Sequence, residues 1–223
     1  MKRIKLKDRL LPDYTRGEEL MNTISHIVGG GIGVLVCILC LWRACLTPSL
    51  WRIAGSAVYG ISFVSLYTLS SVYHGLRPGI GKKVLQILDH CAIYFFIAGT
   101  YTPILFCTLR PAFPVWAWTI FFVEYGLVAL ATTLTAIDLK KYSILSMTCY
   151  IGMGWCILLA LKPLLQVMSM PGFALLLAGG IVYTIGAILF GIGTKLRYMH
   201  SVFHLFVLAG SILHAICILV YVL

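Results

Sequence analysis

The sequence predicts an all-α fold, a seven-transmembrane-helix bundle. Of its 223 residues 61% are hydrophobic and only 11% charged. Mean hydropathy is +0.98, and the apolar residues fall into runs long enough to cross a bilayer. Soluble domains run near 25% charged, and a water-soluble fold of this length could not hide so much apolar surface. The 21 glycines follow no three-residue repeat. They suit membrane helices, where small residues let backbones approach closely.

The elements follow in order. Residues 1–17 are a short basic segment, and residues 18–223 form the bundle, a single integral membrane domain with no internal repeat. The spans are read at 25–42, 53–74, 84–109, 115–136, 144–161, 172–193 and 199–223. At 1.5 Å per residue each suffices for a hydrocarbon core of about 30 Å. The breaks carry turn or charge signals: Thr47-Pro48-Ser49, Arg77-Pro78-Gly79, Arg110-Pro111, Asp138 with Lys140-Lys141, Lys162-Pro163, and Lys195 with Arg197. Gly29-Gly30-Gly31-Ile32-Gly33 resembles a phosphate loop only in composition, since no Lys-Ser/Thr follows. Gly29 and Gly33 read instead as a close-packing face of the first span. Pro103 falls inside the third span and should kink it.

The net charge of +10 could suggest nucleic acid, but the basic residues sit between apolar runs, and no basic patch alternates with exposed aromatics. No nucleic-acid partner is expected. With the N-terminus in the cytoplasm, that side holds Lys2, Arg3, Lys5, Lys7, Arg9, Arg16, Arg77, Lys82, Lys83, Lys140, Lys141, Lys195 and Arg197. The other side holds Arg43, Arg52, Arg110 and Lys162. Thirteen against four places the N-terminus cytoplasmic and the C-terminus outside. Asp13, Glu18 and Glu19 follow the basic start, so no cleavable signal peptide is expected. The eight cysteines lack zinc-ribbon spacing and read as small buried apolar residues. The expected location is the cell membrane, multi-pass.

Ionisable groups inside spans are expensive and mark function by default. His74 ends the second span, Asp89 and His90 open the third, and His200 and His204 open the seventh. With the N-terminus inside, all five converge near the cytoplasmic face. His200 and His204, four apart, share a helix face and can reach one metal. His74 supplies a third imidazole at that depth, and Ser70, four residues earlier, shares its face. Three neutral ligands with an open position is the pattern of catalytic zinc. Asp89 could orient water, accept its proton, or fix a ligand imidazole. The alternative is a polar cluster hydrogen-bonded within the bundle. His214 lies ten residues beyond His204, about 15 Å deeper, and reads as a packing or hydrogen-bonding residue. His26 opens the first span on the cytoplasmic side and reads first as support for the site, with a fourth ligand or a helix-start partner as the alternatives. Glu124 either faces a cavity or bonds Tyr or Ser groups across helices.

The pattern Ser70-xxx-His74, Asp89, His200-xxx-His204 resembles the signature of the progestin and adipoQ receptor family. It also resembles a wider superfamily of seven-span metal-dependent membrane hydrolases that includes alkaline ceramidases. The likeness is greatest to the bacterial hemolysin III branch. It rests on Glu19-xx-Asn22-xx-Ser25-His26, Ser71-Val72-Tyr73-His74, Leu88-Asp89-His90, Ala98-Gly99-Thr100-Tyr101-Thr102-Pro103, and the run from His200 to Leu208. The long cytoplasmic extension of the animal receptors is missing. The resemblance covers nearly the whole chain. It implies zinc as cofactor, held by His74, His200 and His204, with Asp89 and Ser70 as catalytic groups beside it. It implies hydrolysis of a lipid amide or ester, with membrane lipids as partners and homo-oligomerisation left open. Two rival functions stand beside it: a sensor of membrane state with structural zinc, and a channel-forming cytolysin. For the hydrolase, the expected mechanism is attack by activated water on a lipid carbonyl delivered sideways from the cytoplasmic leaflet.

Overall fold

The computed structural model describes residues 4–193 and 196–223; Lys2, Arg3 and Lys195, counted above for orientation, lie outside the described residues. Among the described residues seven helices are long and apolar enough to cross a membrane. They are α1 (Arg16–Leu46), α2 (Leu50–Gly75), α3 (Ile80–Leu109), α4 (Pro114–Ile137), α5 (Ser143–Val167), α6 (Met170–Gly193) and α7 (Met199–Val222). All backbone bonding within such helices is internal, as a bilayer requires. The chain is a multi-pass membrane protein.

Several helices outrun the spans read from hydropathy, because a helix need not end where the apolar run ends. α1 begins at Arg16, where Thr15 and Glu18 form a reciprocal capping box. That early start carries Glu18, Glu19 and Asn22 onto the helix that bears His26. The fifth span differs most. Lys162-Pro163 was expected to be a break, yet both lie within α5, which runs on to Val167. Its irregularity comes earlier: helix to Gly154, a tight 3-10 stretch at Cys156–Ala160, then helix again from Leu161. Pro163 sits in the first turn of that last segment, where its missing N–H costs nothing.

α3 is the central helix, with 72% of its apolar window buried in the bundle against 11% for α6. α2 packs between α1 and α3, and α7 between α6 and α1. Where a kink is expected at Pro103, the helix switches to π-helix over Ile104–Leu109; proline removes one ladder donor there. The glycine face of α1 is present too. A Cβ at Gly29 would fall on the Tyr67 ring, and one at Gly33 would come within 2.6 Å of Phe63. Cys40, Cys91, Cys156 and Cys217 are buried, whereas Cys45 is exposed and the other three are half-buried.

The N-terminal segment crosses the end of the bundle where α1 begins. Lys83 Nζ donates to the Lys7 carbonyl at 2.6 Å, Arg9 Nη2 to the Ile137 carbonyl at 2.8 Å, and Arg197 Nη1 to the Asp13 carbonyl at 2.7 Å. This strap ends at Tyr14, directly over the histidines.

Candidate metal centre

His74 occupies the last turn of α2, His200 and His204 the first two turns of α7, and Asp89 the third turn of α3. One ring nitrogen from each of His74, His200 and His204 lies within 4.8 Å of the other two. The Nε2 atoms of His74 and His200 are 3.4 Å apart. Nitrogens bound to one tetrahedral zinc at 2.0–2.1 Å stand about 3.3 Å from each other. The donor set, three imidazoles, therefore fits such an ion.

The protonation of His74 follows from its neighbours. Its Nδ1 lies 2.6 Å from Glu19 Oε2. A carboxylate only accepts, so Nδ1 carries a proton, and in the neutral ring this leaves the Nε2 lone pair facing His200. The other Glu19 oxygen accepts from Lys82 Nζ, also at 2.6 Å. Lys82 is 5% exposed and also donates to the carbonyls of His74 and Leu76, at 3.2 and 2.9 Å. This ammonium ties the end of α2 to α3. Lys82 is thereby bonded into the site.

α1 and α7 are joined at the same level. Ser201 donates to Asn22 Oδ1 at 2.6 Å, and the Asn22 amide faces His74 Nδ1 at 3.4 Å. Glu18 accepts from the Tyr198 backbone N–H at 2.7 Å. Tyr198 is the N-cap of α7 and the only described non-glycine residue with positive φ, at 64°. That conformation costs about 1–3 kcal/mol, and the Glu18 bond helps hold it, fixing where His200 enters.

Rings close the cluster on two sides. Tyr14 stacks on His200 with centroids 5.0 Å apart. It lies outside the spans, and its hydroxyl is pushed well above its ordinary pKa by burial first and then by the carboxylates of Glu19, Asp89 and Glu18. His26 stacks on His204 at 3.8 Å, and among the described residues neither of its ring nitrogens has a hydrogen-bond partner. Among the described residues its nitrogens are not part of the converging set.

Asp89 is buried, contacts the Ser70 hydroxyl, and has Oδ2 3.7 Å from His90 Nδ1. His90 Nδ1 itself donates to the Gln86 carbonyl at 2.8 Å. Ser70, Asp89, His200 and His204 share the wall of a cavity of about 160 Å³ that is otherwise largely apolar. His214 lines its far end and donates from Nε2 to the Leu176 carbonyl at 3.0 Å, the hydrogen-bonding residue expected, outside the cluster. Glu124 does not line this cavity; it is fully buried against Cys156, and no Tyr or Ser hydroxyl bonds it among the described residues.

The sequence alone assigns no role in the site to Glu19, Asn22, Lys82, Glu18 or Tyr14. A signal existed for two of them. Glu19, Asn22 and His26 recur at helical spacing, which places them on one face of α1 pointing where His26 points.

The chain matches the haemolysin-III-related family over residues 14–215. It is 38% identical over 206 residues to Hemolysin-3 of Bacillus cereus, covering 92% of each chain. It is 34% identical over 208 residues to the Hemolysin-3 homolog of Bacillus subtilis, covering 93% of this chain and 96% of that one. It is 28% identical over 182 residues to the human monocyte to macrophage differentiation factor, covering 76% and 71%. The fold agrees with what the motifs lead one to expect, and the chain belongs to the haemolysin-III-related family.

Proposed function

We propose that this protein is a zinc-dependent hydrolase of a lipid amide or ester, oriented with its N-terminus in the cytoplasm and its C-terminus outside. The observation that carries the reading is a largely apolar cavity that Ser70, Asp89, His200 and His204 all line, with His74 completing the nitrogen triad. His74, His200 and His204 would hold the ion. When bound there, zinc supplies Lewis acidity, activating water near neutral pH and polarising a carbonyl. Glu19 keeps His74 in the tautomer that binds. Asp89, unlike a ligand of a structural site, faces the cavity. It takes a proton from the attacking water as the C–O bond forms, and returns it to the amine or alcohol as the scissile bond breaks. Ser70, whose hydroxyl contacts Asp89, would hold its carboxylate in register.

Depth supports a lipid substrate. Asp89 lies nine residues into α3, about 13 Å from its start, and Tyr14 covers the water-facing side of the triad. A lipid's linkage region already lies near that level, and its chain suits the apolar walls.

The test incubates the purified, zinc-loaded protein with a mixed lipid extract and follows products by mass spectrometry. Asp89→Asn should keep zinc and lose turnover about 100-fold or more, the range general base catalysis supplies. A parent that consumes no lipid faster than Asp89→Asn overturns the hydrolase and favours a sensor with structural zinc. The name Hemolysin-3 borne by the Bacillus cereus relative supports a second reading, lysis of cells. Release of dye from liposomes by the parent and by Asp89→Asn alike would favour it.

A further inference from the structure

Below the triad the cavity does not simply end. A second cavity, of about 40 Å³, adjoins the first, and the two share Thr100, Tyr101, Gly154, Trp155, Gly180 and His214 as lining. The second continues along α3, α5 and α6 past Ile104, Leu158 and Phe173. Three of the shared residues are rings, and each is pinned at its polar atom. Tyr101 donates to the Gly154 carbonyl at 2.9 Å and accepts from the Ile157 N–H at 3.1 Å, bridging the break in α5. Trp155 Nε1 donates to Thr184 Oγ1 at 3.0 Å. His214 is held by the Leu176 carbonyl at 3.0 Å. A ring with its polar atom committed has little freedom to turn aside, so these three form a fixed collar between the two chambers.

The position of the collar gives it a length scale. His214 lies ten residues beyond His204, about 15 Å along α7. A bilayer core of about 30 Å contains two leaflets, so one acyl chain occupies about 15 Å. A chain of leaflet length whose polar end lies at the triad therefore reaches the collar with its terminal carbons. Only a longer chain must pass between the rings. The passage is bounded by Gly180, and a Cβ added there would stand 3.7 Å from the Trp155 ring. A Cβ there would already touch the ring, so a longer side chain at residue 180 would have to extend into the passage.

We infer that the Tyr101–Trp155–His214 collar, with Gly180 beside it, selects the acyl-chain length of the amphiphile that the metal centre takes, short chains ending above it and long chains threading into the second chamber. The inference rests on the lipid reading of the site, but its readout is binding rather than turnover.

The test measures binding of a ladder of saturated fatty acids, from shorter than one leaflet to longer, to the full chain in nanodiscs. Displacement of a fluorescent fatty acid gives the affinities. Gly180→Leu should block the passage: long chains lose affinity about tenfold for every two methylenes they can no longer bury, while short chains bind as to the parent. Trp155→Ala should move the profile the other way, flattening the penalty for the longest chains. It also covers the case in which Gly180→Leu fails to fold. A length profile unchanged in both variants, or an equal loss at every length, overturns the collar. An absent hydrolysis with a shifted length profile overturns the hydrolase and leaves the collar standing. Retained hydrolysis with an unshifted profile overturns the collar alone. A parent that binds no fatty acid at all overturns the collar as well.

Discussion

Glu19→Gln removes a charge without removing volume, so its effect is decided by hydrogen-bond chemistry. In the parent, the two carboxylate oxygens accept from His74 Nδ1 and Lys82 Nζ, both at 2.6 Å. The amide offers one acceptor and one donor. If its oxygen stays with the buried Lys82 ammonium, the NH2 group faces His74 Nδ1, which must then accept. The imidazole proton moves to Nε2, the atom that should bind metal. Loss of such a supporting bond weakens metal affinity about 10- to 100-fold, or about 1.4–2.7 kcal/mol. If the oxygen turns to His74 instead, the Lys82 ammonium meets a donor, and the fold loses about 3–5 kcal/mol. Competition with a fluorescent zinc chelator, paired with thermal unfolding in the same micelles, separates the two outcomes. Lys82→Met is the control: it keeps the Glu19–His74 bond and zinc affinity while lowering stability. A Glu19→Gln protein with parental zinc affinity and parental Tm would refute the tautomer argument.

Three further perturbations test the surrounding structure. Tyr101→Phe leaves the Gly154 carbonyl and the Ile157 N–H without their partner at the break in α5, and should lower stability by about 1–3 kcal/mol in reversible unfolding; an unchanged Tm contradicts the bridging role. Gly29→Leu drives a side chain into the Tyr67 ring and should destabilise the α1–α2 seam by about 1–3 kcal/mol or more, whereas Gly31→Leu, which meets nothing within 4 Å, should be tolerated. Asp138, beyond the end of α4, is held below its ordinary pKa first by the Lys141 backbone N–H and further by Arg9, against a smaller opposing effect of burial. A lowered pKa contributes stability that is full above the unfolded value of about 3.9 and is lost as pH falls through the folded one. Acidification through that range should speed amide exchange at Lys141 relative to Asp138→Asn; equal exchange at every pH contradicts the pairing.

Much of this architecture is legible in the sequence because a bilayer leaves few choices. Runs of apolar residues must be helices, and their number follows. The convergence of His74, Asp89, His200 and His204 is legible for a related reason: alternating helix direction fixes which span ends share a face. What remained hidden depends on rotation about helix axes and on helix that continues past the apolar run. Glu19 and Lys82 stand near span ends, where charge ordinarily marks orientation, and only the fold shows them bonded to each other and to His74. The start of α1 was marked by Thr15-xx-Glu18, a capping pattern that hydropathy does not weigh. The break in α5 carries Gly152 and Gly154 but no proline at the break itself, so Pro163 drew the boundary to the wrong place.

The most direct measurement is metal content. Protein purified without added zinc should carry about one zinc per chain. His74→Ala, His200→Ala and His204→Ala should each lose it, and His214→Ala, bonded to the Leu176 carbonyl and outside the triad, should keep it. Equal zinc in the parent and in a variant lacking all three histidines would contradict the assignment of the metal centre.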